Sequence, residues 1–523
     1  MSRTSRATKG FVTSIFQTTM QILVQALLAP IVLRMAGRET LGAYSAVMQV
    51  LSFIAITDFM GAWVLERFLA QATGLEDGGQ RFRTVFTTVR TVILFCATAY
   101  ALLVFIFSFL VARMFHLSPY VGHQAQYALW VIAAWVILRM PFAAYQNASY
   151  ATQDMAAANL IGTCTLIGRT LGSLVFVLLG GGLFGLMLAG TLVEGIGYVF
   201  YRMRFKRMNP TLMPSWGVPD KALLKEMMGF GGHNVVMNLG NSLLFSSGNM
   251  IAGLTKGPEM ASTFYTTQMP AMTAYNMLMR LPDSAMPAIN ELWGKGEVEK
   301  VRNSFYRLTR IVLALTLPLA TGVLLFNRDL VTVWVGPRQY GGELLTASLA
   351  AFCVVVSIQR MAVTYSYSFG WMRLLTATSL AQGIANFALG YILARRIGMG
   401  GITLALVIVV LPQTVILWRR LGIFFETNVV VLLARCLSAL AIPLICAAAG
   451  SFLVHRSIVI KKHDFIGLFA EAMTFIAVYA ALAYRFGLID HDRNEVRRYL
   501  GSTLGRGKRV PKRLARAFGF ISN

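Results

Sequence analysis

Residues 92–112 read VILFCATAYALLVFIFSFLVA, a run of 21 positions without a charged side chain. A transmembrane α-helix needs about 20 mainly apolar residues to cross the hydrocarbon core of a bilayer. The whole chain continues this pattern, because 56% of its 523 residues are hydrophobic, 13% are charged and the mean hydropathy is +0.62. Soluble domains carry about 25% charged residues. The sequence therefore predicts an all-α integral membrane protein without a separate soluble domain.

Apolar stretches of similar length recur from one end of the chain to the other, and they predict about 14 transmembrane helices. Glycine-rich separators at 180–182 and 398–401 are too short for loops and predict tight turns between antiparallel neighbours. The predicted helices are 11–36, 41–65, 85–112, 121–147, 157–180, 183–201, 229–255, 261–286, 305–326, 343–370, 374–396, 400–421, 428–452 and 463–487.

The basic residues predict the orientation of these helices. The chain has 47 Lys and Arg against 22 Asp and Glu, a net charge of +25. Cytoplasmic loops of membrane proteins carry an excess of Lys and Arg. With the N-terminus in the cytoplasm, about 31 of the basic residues fall on the inner side and about 11 on the outer side. Both termini are then cytoplasmic, which requires an even number of spans.

An internal repeat organises the predicted helices. A shift of about 221 residues aligns helices one to four with helices seven to ten, and it predicts two parallel six-helix halves followed by two extra helices. A slightly smaller shift aligns Arg83 and Phe86 with Arg302 and Phe305. The matches at 221 are Thr13 with Asn234, Gln17 with Asn238, Gln21 with Ser242, Tyr44 with Tyr265, and Arg139 with Arg360.

The repeat gives a predicted domain organisation. The N-terminal lobe covers 1–201, a cytoplasmic linker 202–228 and the C-terminal lobe 229–421. Two further transmembrane helices occupy 428–487, and a basic cytoplasmic tail follows at 488–523. That tail predicts contact with anionic lipid headgroups. It shows no aromatic or fold pattern typical of nucleic-acid binding, so we expect no nucleic-acid partner.

Polar stripes run along the first helix of each half. Gln17 and Gln21 share one face of helix one, and Asn234 and Asn238 share one face of helix seven. Since lipid offers no hydrogen-bond partner to side-chain amides, each face must contact another helix or water. One interpretation is that these amides form hydrogen bonds between helices and only stabilise the helix packing. The other is a shared hydrophilic cavity with these four residues as substrate-binding candidates.

Arginines within or beside the spans are the strongest functional candidates, since each costs about 2.5–3.5 kcal/mol at a helix centre on insertion scales. Arg280 has Asp283 one turn away, so an ion pair between them is an alternative to a substrate contact. Arg139 and Arg360 have no acid nearby in the sequence. A guanidinium stays charged and its planar fork suits phosphate. We therefore predict an anionic substrate; its candidate contacts are Arg139, Arg169, Arg280 and Arg360.

Few acids lie in the predicted spans. Asp58 and Asp283 are the candidates for proton or sodium coupling, and Asp58 could equally cap a broken helix end or form an ion pair. A phosphate-binding loop with Lys-Ser/Thr, zinc-type histidine spacing and a nucleophile elbow are absent from the sequence. We expect neither enzymatic activity, nor a bound metal, nor a cofactor.

Three motifs resemble a known family. Residues 29–44, APIVLRMAGRETLGAY, are similar to the first loop of Wzx-type bacterial polysaccharide flippases, where one helix ends in Arg-x-x-Gly and the next starts with Gly-x-Tyr. Residues 286–292, MPAINEL, with the basic amphipathic helix that follows, and 333–336, VWVG, with the glycines at 341–342, extend the resemblance over about 10–425. The motifs identify the larger superfamily of multidrug, oligosaccharidyl-lipid and polysaccharide exporters better than one branch.

This resemblance implies a V-shaped pair of six-helix lobes, like that of multidrug exporters, which opens alternately to each side of the bacterial cytoplasmic membrane. It implies an undecaprenyl-diphosphate-linked oligosaccharide as substrate, a cationic cavity to which the four arginines fit by type, and a role in polysaccharide export. Extra C-terminal helices such as 428–452 and 463–487 occur among flippases, where they help to form a lipid groove. Partners would include polysaccharide polymerase and glycosyltransferases.

Two alternatives remain open. An ion-coupled multidrug exporter of the same superfamily is the first, although such exporters usually stop at 12 helices and often carry an acid in helix one, where 11–36 has none. A non-transporting membrane scaffold for polysaccharide synthesis, acting through its basic tail, is the second.

Overall fold

The computed structural model describes residues 3–55, 62–73, 77, 79–152, 154–215, 217–457 and 465–487, and their regular secondary structure is entirely helical. This confirms the predicted all-α class. The first nine helices are α1 (Arg3–Ile54), α2 (Ala62–Thr73), α3 (Gln80–Met114), α4 (Pro119–Ala151), α5 (Met155–Leu178), α6 (Gly182–Met208), α7 (Lys221–Phe245), α8 (Gly248–Lys256) and α9 (Pro258–Gly294). The next six are α10 (Val298–Val335), α11 (Glu343–Ser368), α12 (Met372–Ile397), α13 (Met399–Phe424), α14 (Val429–Ser457) and α15 (Phe465–Leu482).

Among the described residues, 11 helices have the length and hydropathy to cross a membrane. The chain is therefore a multi-pass membrane protein. The predicted first helix, 11–36, and the first part of the predicted second helix, 41–65, fall in α1, where Gly37 interrupts the helical backbone with φ 83° and ψ 174°. The last residues of 41–65 fall in α2. The predicted seventh and eighth helices correspond to α7 with α8 and to α9, which are not among the 11. Polar residues such as Asn238 and Arg280 dilute the apolar character of these segments.

The backbone supports the internal repeat at the first hairpin of each half. Gly37 separates the two halves of α1, and Gly257 separates α8 from α9. Their conformations match, with φ 83° and ψ 174° at Gly37 and φ 84° and ψ −177° at Gly257. The two glycines lie 220 positions apart. Both have the positive φ that only glycine adopts readily, so the same turn chemistry recurs in the two halves.

Buried aromatic clusters give the register of the repeat. The Phe86 ring meets Tyr145 edge-on at 5.0 Å, and the Phe305 ring meets Tyr365 in the same way at 5.0 Å. The two tyrosines, on α4 and α11, are 220 positions apart. The shift of 221 is therefore one residue too long for this helix pair. At 220, Arg139 corresponds to Gln359 and not to Arg360.

The chain forms two compact units, which we describe separately. Unit 1 comprises Met1–Tyr265 together with the α12 segment Ser379–Phe387, and unit 2 comprises the described parts of Thr266–Thr378 and Ala388–Asn523. These boundaries fall within α9 and α12, whereas the predicted lobes 1–201 and 229–421 follow the repeat. That lobe organisation, with the linker 202–228, stays a prediction.

In unit 1, α3 packs along α4, α4 and α5 pack against α6, and α1 packs against α5 and α8. The core at one end is built from the fully buried side chains of Phe82, Phe86 and Phe205. A close crossing joins α7 to the α12 segment, because an added Cβ on Gly383 would lie 2.5 Å from the carbonyl oxygen of Gly240. Asn386 completes this crossing by donating to the carbonyl oxygens of α7.

In unit 2, α11 packs between α10 and α13. The helices α14 and α15, which match the predicted extra pair within 428–487, pack against each other and against α10. Their shared core contains Leu313, Cys436, Leu440 and Phe475. The hydroxyl of Tyr479 donates to the carbonyl oxygen of Ala314 at 2.6 Å. The extra helices are thus attached to the second repeat by both apolar packing and a polar contact.

Charged residues beside Gly37 fix the first hairpin. Arg38 forms an ion pair with Glu259 at 3.2 Å and donates to the hydroxyl of Thr263 at 3.0 Å. Glu39 accepts from the backbone N–H of Ser118 at 2.6 Å. These contacts connect the start of the second half of α1 to the start of α9 and to the N-terminus of α4.

A loop carboxylate fixes the start of α3. The Asp77 carboxylate accepts the backbone N–H groups of Arg81 at 2.7 Å and Gly79 at 2.9 Å. These hydrogen bonds, that from Arg81 first, hold the pKa of Asp77 below its usual value.

The contact between the second half of α1 and the start of α9 can be tested at Gly42. A Cβ at position 42 would lie 1.6 Å from the carbonyl oxygen of Pro258, a backbone atom that cannot rotate away. We expect Gly42→Ala to lower the free energy of unfolding by about 1–3 kcal/mol or more, as overpacking does. Thermal unfolding of the purified protein in detergent measures this loss.

The matched control is Gly322→Ala in α10, where the nearest atom to an added Cβ is Cδ2 of the Phe326 ring at 3.8 Å. This change should leave stability equal or slightly higher, since alanine favours helix. Equal unfolding temperatures for the Gly42 and Gly322 variants would contradict the close approach.

Candidate functional site

Arg139 lies on α4 and is neutralised by a carboxylate on α6. Its guanidinium is 2.7 Å from Glu194, and the two side chains are only 16% and 34% exposed. The hydroxyl of Tyr198 donates to the same carboxylate at 3.1 Å. The expectation that Arg139 lacks an acid holds only along the sequence, because its counter-ion comes from a helix 55 residues later. Arg139 is therefore committed to a protein contact.

The second repeat has an uncharged version of this bridge. At the shift of 220, Gln359 on α11 takes the place of Arg139, and it donates its amide to Gln413 on α13. The amide of Gln413 in turn donates to the hydroxyl of Thr378. Both repeats thus join their fourth and sixth helices through polar side chains. This recurrence favours a structural role for the Arg139–Glu194 pair.

Arg360 on α11 has a different partner, Asp283 on α9. Its Nη2 and Nε atoms contact one carboxylate oxygen at 2.7 and 3.2 Å. The side chains are 45% and 47% exposed, so this pair is far more open than the pair at Arg139. Asp283 thereby neutralises Arg360, whereas the sequence suggested Arg280 as its partner. The alternative of an Arg280–Asp283 ion pair is therefore not the arrangement found, since Asp283 pairs with Arg360.

Arg280 is exposed on α9, one turn before Asp283. Within the described part of the chain, no carboxylate lies within ion-pair distance of its guanidinium. Around Asp283, α9 and α11 therefore place two arginines, Arg280 and Arg360, against one aspartate, since Glu291 and Glu343 of these helices pair with Lys295 and Arg328. This surface of unit 2 carries a net positive charge that an anion can neutralise.

Arg169 lies well inside α5, with its guanidinium outside any ion pair to the described residues. The side chain is half-buried, and its Cγ and Cδ methylenes lie against Gly190 of α6, 3.8 and 3.9 Å from where a Cβ would stand. A charged group at this depth is costly without a counter-charge. Arg169 is the arginine with the clearest capacity to bind an anion within unit 1.

Part of the polar face of α1 contacts the neighbouring helix α5 and helps to hold the two helices together. Asn159 of α5 donates to the Thr13 hydroxyl at 3.1 Å and accepts from the Tyr150 hydroxyl at 2.9 Å. The amide of Gln17 lies close to Gly162, where an added Cβ would be 2.8 Å from its nitrogen. Gln21, one turn later, is exposed. Gln17 is therefore packed between helices, whereas the Gln21 side chain is accessible.

The structure describes the side chain of only one of the remaining candidates, Asn238. Asn238 on α7 is exposed, whereas the side chain of Asn234 lies outside the described residues. Asp58 and the basic tail 488–523 also lie outside them. The coupling role of Asp58 and the lipid contact of the tail stay predictions.

The sequence did not predict two polar contacts between helices of unit 1. The pairing of Glu194 with Arg139 had no signal in local spacing, because the two residues are 55 positions apart. Arg90 was not singled out, although it is 5% exposed on α3 and donates to the Tyr145 hydroxyl at 3.2 Å. Its position next to the apolar run 92–112 was the available signal, because an arginine there needs partners.

Comparison with known proteins shows the family to which the chain belongs. A model of the polysaccharide biosynthesis protein family matches residues 17–340. The chain belongs to this family. This confirms the predicted relationship to polysaccharide exporters and to flippases of the Wzx type. A comparison with curated proteins found no match.

Solved structures with the same fold are transporters. The lipid II flippase MurJ, in an inward closed conformation, aligns with a TM-score of 0.67 at 11% identity, covering 91% of this chain and 98% of that one. An inward-facing multidrug resistance MATE family transporter of the MOP superfamily gives 0.64 at 15% identity, covering 78% and 94%. A MOP superfamily transporter from Pyrococcus furiosus gives 0.59 at 15% identity, covering 81% and 96%. The predicted superfamily fold is confirmed.

The recurring bridge predicts how Arg139 and Glu194 depend on each other. Glu194→Gln or Arg139→Gln alone leaves an unpaired charge, and we expect each to lower the free energy of unfolding by about 1–3 kcal/mol. The double variant copies the amide pair of the second repeat, so it should recover most of this loss. Thermal unfolding of the four proteins in one detergent measures the coupling. Additive losses in the double variant would show that the two side chains do not act as a pair.

Proposed function

We propose that this chain is a flippase for an undecaprenyl-diphosphate-linked oligosaccharide, which it moves across the bacterial cytoplasmic membrane by alternating access. The repeat unit would serve O-antigen, capsule or exopolysaccharide export. Membership of the polysaccharide biosynthesis family and a fold shared with a lipid II flippase support this proposal.

The observation that carries the proposal is Arg169. It is a half-buried guanidinium in the span α5 with no carboxylate partner among the described residues. A diphosphate offers several charged oxygens that a planar guanidinium fork can bind through charge-assisted hydrogen bonds. Arg139 is less suited to this contact because Glu194 already neutralises it at 2.7 Å.

The physical task of such a flippase is to shield polar groups from hydrocarbon. Transfer of sugar hydroxyls and phosphates into an apolar medium without hydrogen-bond partners costs several kcal/mol for each group. Exposed amides such as Gln21 and Asn238 could replace water around the sugars, while the lipid tail stays in the bilayer. No covalent step is needed, so we propose a transporter and not an enzyme.

Coupling and partners form a second part of the proposal. A proton or sodium gradient could supply the energy through Asp58, and no bound cofactor is required. With both termini in the cytoplasm, the tail 488–523 would contact anionic lipids of the inner leaflet. A polysaccharide polymerase and glycosyltransferases are the proposed protein partners, because they act on the same lipid-linked unit.

The proposal predicts the effect of removing the Arg169 charge. We expect Arg169→Gln to slow flipping about 10- to 100-fold, because a hydrogen bond to a charged group is worth about 1.5–3 kcal/mol. Arg169→Lys, which keeps the charge but loses the fork, should be intermediate. The assay reconstitutes the protein into liposomes with an undecaprenyl-diphosphate oligosaccharide on one leaflet and follows its exposure to membrane-impermeant periodate.

Arg113→Gln is the matched control, since Arg113 is exposed at the end of α3. It should flip at the wild-type rate. Wild-type rates for Arg169→Gln would exclude the anion contact. If the wild-type protein flips neither acidic nor neutral oligosaccharides, the two alternatives gain weight. Drug export that depends on a cation and on Asp58 would then indicate the multidrug exporter, and loss of polysaccharide synthesis on deletion of 488–523 would indicate the scaffold.

A further inference from the structure

Two ion pairs between helices in the described part of the chain, Arg139–Glu194 and Arg360–Asp283, differ in how they are held. Glu194 is fixed between Arg139 and the Tyr198 hydroxyl, with little of the arginine exposed. Asp283 contacts Arg360 through a single carboxylate oxygen, and nearly half of each side chain is exposed. The first pair is closed to an outside anion, whereas the second can be reached.

The surroundings of the exposed pair Arg360–Asp283 also carry more positive than negative charge. Arg280 precedes Asp283 by one helical turn on α9, so both project from the same side of that helix. Arg280 is exposed and has no carboxylate within ion-pair distance among the residues that the structure describes. Asp283 therefore supplies one negative charge to a surface that carries two guanidinium groups.

We propose that Asp283 is an exchangeable counter-ion, which a diphosphate displaces from Arg360 so that the diphosphate is held by Arg360 and Arg280 together. This inference rests on the proposed function, because it takes the diphosphate of that substrate as the ligand and adds this surface of unit 2 as a contact separate from Arg169 of unit 1. A single carboxylate cannot satisfy two guanidinium forks, whereas a diphosphate has enough charged oxygens for both. Displacement is feasible because Asp283 uses only one carboxylate oxygen and nearly half of each side chain is accessible.

The same exchange gives a route for release. When the diphosphate leaves, Arg360 does not become an unpaired charge, since Asp283 remains attached to the neighbouring helix and can return to it. An unpaired arginine would hold the anion more tightly and release it more slowly. Asp283 thus lowers affinity for the anion and lowers the barrier to its departure.

Binding of inorganic pyrophosphate to the purified full-length protein tests this exchange. The protein is placed in nanodiscs of neutral phosphatidylcholine, so that anionic lipid cannot compete, and binding is measured by isothermal titration calorimetry at fixed salt. We expect Asp283→Asn to tighten pyrophosphate binding about five-fold, which corresponds to the loss of a competitor worth about 1 kcal/mol. Arg360→Gln and Arg280→Gln should each weaken it about ten-fold or more.

Asp154→Asn is the matched control, because Asp154 forms a comparable ion pair with Arg204 at 2.9 Å in unit 1. It should leave pyrophosphate affinity unchanged. Orthophosphate, titrated in parallel, should bind more weakly than pyrophosphate and lose less in the Arg280→Gln variant, since it is too small to bridge both arginines. Equal losses for the two ions would indicate a general phosphate contact, such as a lipid headgroup, and would overturn the diphosphate assignment.

An unchanged or weaker affinity in Asp283→Asn would overturn the exchange. Asp283→Ser and the unfolding temperature of each variant separate this result from misfolding. Tighter pyrophosphate binding without flipping of any lipid-linked oligosaccharide would support the exchange and contradict the proposed function. Wild-type flipping combined with an Asp283→Asn variant of unchanged affinity would leave the function standing and contradict the exchange.

Discussion

Hydrocarbon offers no hydrogen-bond or charge partner to a polar side chain, and this constraint explains where the charged residues of the chain have settled. Arg139 and Arg360 each acquire a carboxylate at 2.7 Å from another helix. Asn159 and Gln359 find hydroxyl or amide partners across helix interfaces. Arg169 and Arg280 have no carboxylate partner among the described residues. The missing counter-ion is what makes these two arginines candidates for binding an anion.

The sequence predicted the fold well because hydropathy and glycine placement are local signals. Runs such as 92–112 lie within described helices, and Gly37 separates two predicted helices as its position suggested. The ion pairs were not predictable, since they depend on which helices become neighbours. Asp283 illustrates the difference. Spacing places it beside Arg280 on one helix, yet the fold brings Arg360 to it from α11, 77 residues away.

The register of the repeat shows the same limit at a finer scale. A single residue separates the shift of 221, which aligned two arginines, from the shift of 220, which aligns the buried tyrosines Tyr145 and Tyr365. One residue turns a helix by about 100°, so the two arginines face different neighbours. Identical residue types can therefore mislead an alignment, whereas a pair of packed rings preserves the register because it is fixed by its surroundings.

Divergence between the repeats has a functional logic. Where the first repeat uses Arg139 and Glu194 to join two helices, the second uses the neutral pair Gln359 and Gln413 for the same connection. The second repeat is thus free to place its charges elsewhere, on the open surface of α9 and α11. A charged side chain that joins two helices cannot bind a ligand instead without weakening the packing of those helices. A charge held by an exposed and weak pair can change partner while the neutral bridge keeps the helices in place.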